Sequence, residues 1–201
     1  PSGVVQATAG NAYSIILKDD GTLWGAGFDN YGEFGTGSPN NSFTAFTDLG
    51  ISGVVQVSST VEHTAYIKND GSLWTMGSNA NGKLGNGGGA GENANPQMIE
   101  SGGVVSVIAG HQHTLYIKSD GSLWGMGAGN NGEFGLSDLN SHSVPVQIQT
   151  GGVLQMAAGS NHTLFLKSDG SLRGMGYNNY AELGLGHTNT DISTPQQIEA
   201  N

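Results

Sequence analysis

Residues 109–127 read AGHQHTLYIKSDGSLWGMG. The same grammar recurs as AGNAYSIILKDDGTLWGAG at 9–27, STVEHTAYIKNDGSLWTMG at 59–77 and AGSNHTLFLKSDGSLRGMG at 158–176. The Asp-Gly pairs at their centres, Asp20-Gly21, Asp70-Gly71, Asp120-Gly121 and Asp169-Gly170, stand 50, 50 and 49 residues apart. Outward from them four units fill the chain: 3–52, 53–102, 103–151 and 152–201, each opening on GVVQ, GVVS or GVLQ. Each runs into a Gly/Asn-rich stretch that ends GEFG, GKLG, GEFG or AELG. A fixed period of this size is the signature of a repeat architecture.

Within a unit the pattern is that of strands. Val104, Val105, Val107 and Ile108 form a short apolar run closed by Ala109-Gly110, and Thr114 to Lys118 carries β-formers. Asp120-Gly121 then separates that run from Leu123-Trp124, and Asp-Gly between apolar runs signals a tight hairpin whose glycine takes φ > 0. Gly125 to Gly135 is too rich in Gly and Asn for a helix. Val146 to Ile148, after Pro145, suits an edge strand, because proline cannot donate to a ladder. About four strands per unit, without helical periodicity, predict an all-β array of β-propeller blades over residues 1–201.

The pattern AGxxHTLYIKxDGxLWxMGxNxxGELG resembles the repeat of the regulator-of-chromosome-condensation family, and the resemblance covers all four units. It implies a propeller, usually of seven blades, that acts by offering loops to a protein partner: a small GTPase in one relative, a β-lactamase in another. Neither specific activity transfers to these residues. Four units are not seven, and Tyr13, Ser59-Thr60 and Arg173 depart from the pattern at its His, Ala-Gly and Trp positions. A cut stack of blades exposes two radial faces, which are association hazards. The ring is therefore expected to be completed by a longer polypeptide or by self-association with a second copy, in preference to closure as a narrow four-bladed ring.

Composition limits the function. Of 201 residues 35 are Gly, 16 are acidic, 6 are Lys or Arg and none is Cys, for a net charge of −10. Nucleic-acid binding and docking on anionic membranes both rely on Lys and Arg, so neither is expected. No run approaches the length of apolar residues that spans a bilayer, and no membrane insertion is expected. The opening Pro1-Ser2-Gly3 has no basic or apolar leader character, so any signal peptide is expected to have been removed. Abundant Gly, Asn, Ser and Thr, few Lys and no Cys suit a bacterial extracellular or cell-surface protein.

His63, His113 and His162 share one place in three units. Imidazoles repeated about an axis suggest a metal site, but a residue present in each blade more simply serves the blade, here by bonding a backbone carbonyl across the turn; the resemblance implies the same structural role. Trp24, Trp74 and Trp124 read as packing between blades rather than as sugar platforms. Lys18, Lys68, Lys118 and Lys167 read as turn partners of the neighbouring Asp residues. Glu33, Glu133 and Glu182, with Lys83 in the remaining unit, read as solvated turn chemistry. His111 has no counterpart and is free for a private role. The Gly-x-Gly strings precede loops, not the helix N-terminus a phosphate site needs, and no EF-hand spacing is present. No catalytic residue, metal or cofactor is expected.

What differs between units points to function. The loops after each Gly-x-Gly contain Phe28 and Tyr31, Asn79, Asn130, and Tyr177 and Tyr180. Tyr and Asn are the vocabulary of adaptable binding loops, and these six residues are the expected contacts of a protein partner. A structural subunit joined through open blade faces and a carbohydrate-binding propeller are the alternatives.

Overall fold

The computed structural model describes residues 2–189 and 191–198. It contains four antiparallel four-stranded sheets, each drawn from one sequence unit with its strands in chain order. Blade 1 holds β1 (Val4–Ala9), β2 (Tyr13–Lys18), β3 (Leu23–Asp29) and β4 (Asn41–Asp48). Blade 2 holds β5 (Val54–Ser59), β6 (His63–Lys68), β7 (Leu73–Ser78) and β8 (Glu92–Glu100). Blade 3 holds β9 (Val104–Ala109), β10 (His113–Lys118), β11 (Leu123–Gly127) and β12 (His142–Gln149). Blade 4 holds β13 (Val153–Ala158), β14 (His162–Lys167), β15 (Leu172–Gly176) and β16 (Ile192–Ile198). A single turn of 3-10 helix, Ala80–Gly82, is the only helical element among the described residues, and none is long and apolar enough to cross a membrane. The last strand of unit three starts four residues earlier than its apolar run suggested and takes Pro145 into its interior; it remains an outer edge, where the missing N–H costs no ladder bond.

The Asp-Gly hairpins form as expected. Gly21, Gly71, Gly121 and Gly170 sit at φ between +77° and +84°. Each preceding aspartate folds back, Asp70 Oδ1 accepting from Ser72 N at 2.9 Å and Ser72 Oγ at 2.6 Å, with the same pair of bonds at Asp20, Asp120 and Asp169. These hydrogen bonds, the side-chain one first, hold all four carboxyls below the usual aspartate range.

The core lies between blades rather than within them. Tyr13, Ile15, Leu23 and Phe34 of blade 1 pack against Val57, Tyr66 and Met76 of blade 2. Ala65, Ile67 and Leu73 meet Val107, Tyr116 and Met126 in the same way, and Leu115, Leu123 and Phe134 meet Val153, Phe165 and Met175. Each joint thus buries several large side chains, worth roughly 1.5–3 kcal/mol apiece. The first strands of successive blades also interlock through a glutamine. Gln6 Nε2 donates to Val57 O (2.8 Å) while Gln6 Oε1 accepts from Val57 N (3.1 Å), and Gln56 does the same with Val107. Unit three has Ser106 there, and that clasp is missing from the joint between blades 3 and 4.

The four blades form an open arc. Val54, Val104 and Val153 are buried against the preceding blade, whereas Val4 is 43% exposed. At the other end Leu172 is half-buried, although Leu23, Leu73 and Leu123 are fully buried. Among the described residues no hydrogen bond and no apolar cluster joins blade 4 to blade 1.

Candidate functional site

Strand alternation decides which loops share a face. The β1–β2 type turns and the long β3–β4 type loops emerge at one end of every blade; the Asp-Gly turns and the inter-blade connections emerge at the other. All the variable loops and the three repeated histidines therefore lie on or under one face, here the loop face. The opposite face carries four nearly identical turns.

Under the loop face lies a relay between blades. His63 Nε2 lies 2.8 Å from Thr114 Oγ1, and that hydroxyl donates onward to Lys83 O at 2.8 Å, so His63 carries its proton on Nε2. His113 Nε2 meets Thr163 Oγ1 at 3.2 Å. The sequence-based reading of a backbone carbonyl as partner is corrected: the partner is a hydroxyl of the following blade, some 50 residues away. Burial depresses both imidazoles, His113 to about 4, which keeps them neutral. His162, on the last blade, is half-buried. In blade 1 Tyr13 replaces the histidine; its hydroxyl donates to His63 O at 2.9 Å and lies 3.4 Å from Thr64 Oγ1. No group of three or more His, Cys, Asp or Glu residues is arranged around a common centre among the described residues.

The loops are held from within. In blade 2 Asn79 is fully buried: its Oδ1 accepts from Leu84 N (3.0 Å) and its Nδ2 donates to Gly89 O (3.0 Å). Asn178 does the same between Leu183 N and His187 O. Asn79 is therefore a loop-closing residue, not a partner contact; its amide ties the buried N–H of Leu84 to the exposed Gly89 of the loop. Glu33 and Glu133 are likewise buried rather than solvated, accepting from Tyr31 N and Asn131 N at 2.8 and 2.9 Å. Buried Lys83 instead pairs with Glu62 at 3.2 Å.

Blade 1 breaks the asparagine rule. Asp29 stands where blades 2 and 4 have Asn; its Oδ1 accepts from Phe34 N (2.9 Å), but its Oδ2 is buried without a partner. Burial pushes Asp29 above the usual aspartate range, and burial together with the neighbouring Asp29 carboxyl pushes Glu33 up to about 7.

Of the other expected contacts, Phe28 and Tyr180 are exposed, at 59% and 84%, and Asn130 is exposed as well. Tyr31 and Tyr177 are half-buried. Tyr177 and Tyr180 pack together, centroids 6.2 Å apart, with Asn179 Nδ2 on the Tyr177 hydroxyl. The aromatics do not form one patch: Phe28 and Tyr31 stand on blade 1, Tyr177 and Tyr180 on blade 4, with polar loops between. His111 is occupied by Ser160 of the next blade, 3.0 Å away. Trp74 and Trp124 border the joints by stacking on Tyr66 and Tyr116. Trp24, Trp74 and Trp124 each donate to the turn hydroxyl and lie 4.6–4.9 Å beneath a lysine ammonium. Lys18, Lys68 and Lys118 thus cover tryptophan rings; among the described residues they form no ion pair with the turn aspartates and act on them only as nearby positive charges.

A family model described as the regulator of chromosome condensation (RCC1) repeat matches residues 70–117 and 120–166. A second model of the same description matches 54–83, 104–133 and 153–182. No curated protein matches the sequence. Among solved structures the arc is similar to human WBSCR16 (23% identity, TM-score 0.83), covering 98% of this chain and 53% of that one. It is similar to yeast RCC1 (Prp20) in a complex with Kap60 (21%, TM-score 0.86; 98% and 49% covered). It is also similar to Prp20p of Saccharomyces cerevisiae (19%, TM-score 0.84; 98% and 50% covered). The chain spans about half the length of these structures, and what it shares with them is the fold.

Proposed function

The chain belongs to the regulator of chromosome condensation repeat family, and from that premise we propose that it is a non-enzymatic interaction module whose loop face binds a protein partner. One observation carries this reading: the two ends of the blades are treated differently. The Asp-Gly face repeats the same turn and the same hydrogen bonds four times, as a scaffold does. The loop face closes its loops from inside, with buried Asn79, Asn178 and Glu133, and leaves their tips free to vary. Exposed Tyr180 on such a closed loop, and exposed Phe28 near the end of β3, supply contact area at low entropic cost. Prp20p, of the same fold, binds proteins, with binding to Gsp1p and histones described for it. A net charge of −10 favours a partner with a basic surface, since complementary fields steer association. Composition, rich in Gly and without Cys, supports a secreted or cell-surface setting.

The test is comparative capture from source-organism extract and culture medium. Wild type, a Phe28→Ala/Tyr177→Ala/Tyr180→Ala variant and an Asn69→Ala variant on the Asp-Gly face serve as baits. A protein held by wild type and by Asn69→Ala but lost from the loop variant is the expected result. Equal capture by all three, or loss confined to Asn69→Ala, overturns the assignment.

A further inference from the structure

The arc ends in two unlike faces, and each keeps its half of the joint the interior blades make. The trailing face of blade 4 presents His162 where His63 and His113 reach the next blade's threonine. It also presents Gln155 where Gln6 and Gln56 clasp the next first strand, and Gly170 O where Gly21, Gly71 and Gly121 receive the N–H of Val54, Val104 and Val153. The leading face of blade 1 presents Ser14 at the threonine position, still a hydroxyl, and free backbone at Ala7 and Val4. Apolar surface lies behind both. Leu164, Leu166 and Leu172 are half-buried on the trailing side, although their counterparts in the other blades are buried. The leading side has a hollow lined by Ser14, Ala26, Thr44 and Phe46.

Departures from the repeat fall on both faces and answer each other. In the interior joints Gly32, Gly82 and Gly132 lie directly under the next outer strand: a Cβ on Gly32 would stand 2.4 Å from Ala94 Cα, and one on Gly82 2.5 Å from Ser143 Cα. Blade 4 has Ala181 at this position, at φ +62°, so a blade stacked on it must stand off at its outer edge by about one methyl group. Blade 1 is built for that spacing. Where Pro96 and Pro195 press on the preceding blade it has the larger Phe46, and where Met76, Met126 and Met175 insert it has the smaller Ala26.

We infer that the trailing face of blade 4 binds the leading face of blade 1 of a second copy, head to tail, through a modified version of the interior joint. His162 meets Ser14 of the second copy, Gln155 clasps the backbone at its Ala7, and Phe46 fills the gap left by Ala181. The contact is heterologous, so copies close into a ring or run on as an open chain. It also brings the loops of Tyr177 and Tyr180 beside those of Phe28 and Tyr31 of the second copy, joining the two aromatic clusters that a single arc keeps apart. That last consequence rests on the loop reading above; the association does not.

Two exposed small residues provide the test. Ala7→Arg blocks the leading face and Ala157→Arg the trailing face, and Leu139→Arg on an outer loop of blade 3 is the control. Folding is checked by circular dichroism and thermal melting, and mass by sedimentation velocity over a dilution series. Wild type and Leu139→Arg are expected at twice 20.6 kDa or more, and each face variant at 20.6 kDa. An equimolar mixture of the two face variants regains a dimer, since one intact joint remains. Wild type at 20.6 kDa at every dilution overturns the inference. So does association that survives both substitutions, or a mixture that stays monomeric. Loss of partner capture by the triple loop variant at unchanged mass would bear on the loops and not on the joint.

Discussion

Blade 2 keeps the repeat and blade 1 departs from it, and comparing them position by position separates what a joint needs from what a blade needs. Blade 2 offers His63 to the following blade, and its proton enters a closed relay, His63 to Thr114 to Lys83 O. Blade 1 offers Tyr13, whose hydroxyl is already satisfied by His63 O and touches Thr64 only at 3.4 Å. Blade 2 closes its loop with Asn79, a donor and an acceptor on one amide. Blade 1 uses Asp29, an acceptor twice over, and one oxygen is stranded. The joint tolerates a new residue when the polar groups around it still find partners. The loop of blade 1 does not meet that condition, and burial raises both of its carboxyls.

Substitution at the threonines tests this contrast most severely. Thr114→Val leaves both the His63 N–H and Lys83 O buried and unpaired, and is expected to cost about 3 kcal/mol in urea unfolding. Thr64→Val, chemically the same change one joint earlier, is expected to cost under about 1 kcal/mol because Tyr13 keeps its carbonyl. Equal costs would mean that the relay adds nothing beyond packing.

Asp29→Asn should restore the amide of blades 2 and 4 and stabilise the protein by about 1–2 kcal/mol at neutral pH, read as a higher melting temperature. It should also change the pH profile. A carboxyl raised on folding contributes stability that is complete below its unfolded value and lost as pH rises, so wild type loses this contribution between roughly pH 4.5 and 7. The buried histidines act oppositely: depressed on folding, they contribute above about pH 6.5 and lose that contribution as pH falls toward 4. Both proteins keep the histidines, so the difference between their profiles isolates the Asp29 pair. Parallel profiles would show that Asp29 does not raise Glu33 in the fold.

A smaller gain is expected at the joint that lacks its clasp. Ser106→Gln places a side chain to bridge the backbone of Met156 as Gln6 bridges Val57, worth about 1 kcal/mol. The smallest effect is expected at the tip of blade 4: Tyr180→Ala, at 84% exposure, should move the melting midpoint very little while weakening partner capture.

Much of the fold was legible because its rules are local. The Asp-Gly turns, the strand pattern and the blade boundaries all depend on residues within one unit. The relay was not legible, because His63 and Thr114 are 51 residues apart and meet only once blades are stacked. The burial of Glu133 and Lys83 was missed for the opposite reason, since charged residues beside Gly and Asn read as solvent-facing. Asn79 did carry a signal: Asn recurs at 178, with Asp29 in the same column, five residues before the backbone N–H each one holds. Recurrence marks scaffold, and Asn79 belonged with the histidines rather than with Tyr180.

Interior joints written in one register of about 50 residues have a genetic consequence. Excision of residues 53–102 would leave blade 1 facing blade 3 with every partner type preserved: Gln6 against Val107, Gly21 O against the N–H of Val104, and the Tyr13 hydroxyl against Thr114 in place of Thr64. Duplication of the same segment would insert a blade between two existing joints without altering either. A gene of this kind can change the arc it encodes by unequal recombination between its own repeats, each event adding or removing one whole blade and leaving the reading of all the others intact.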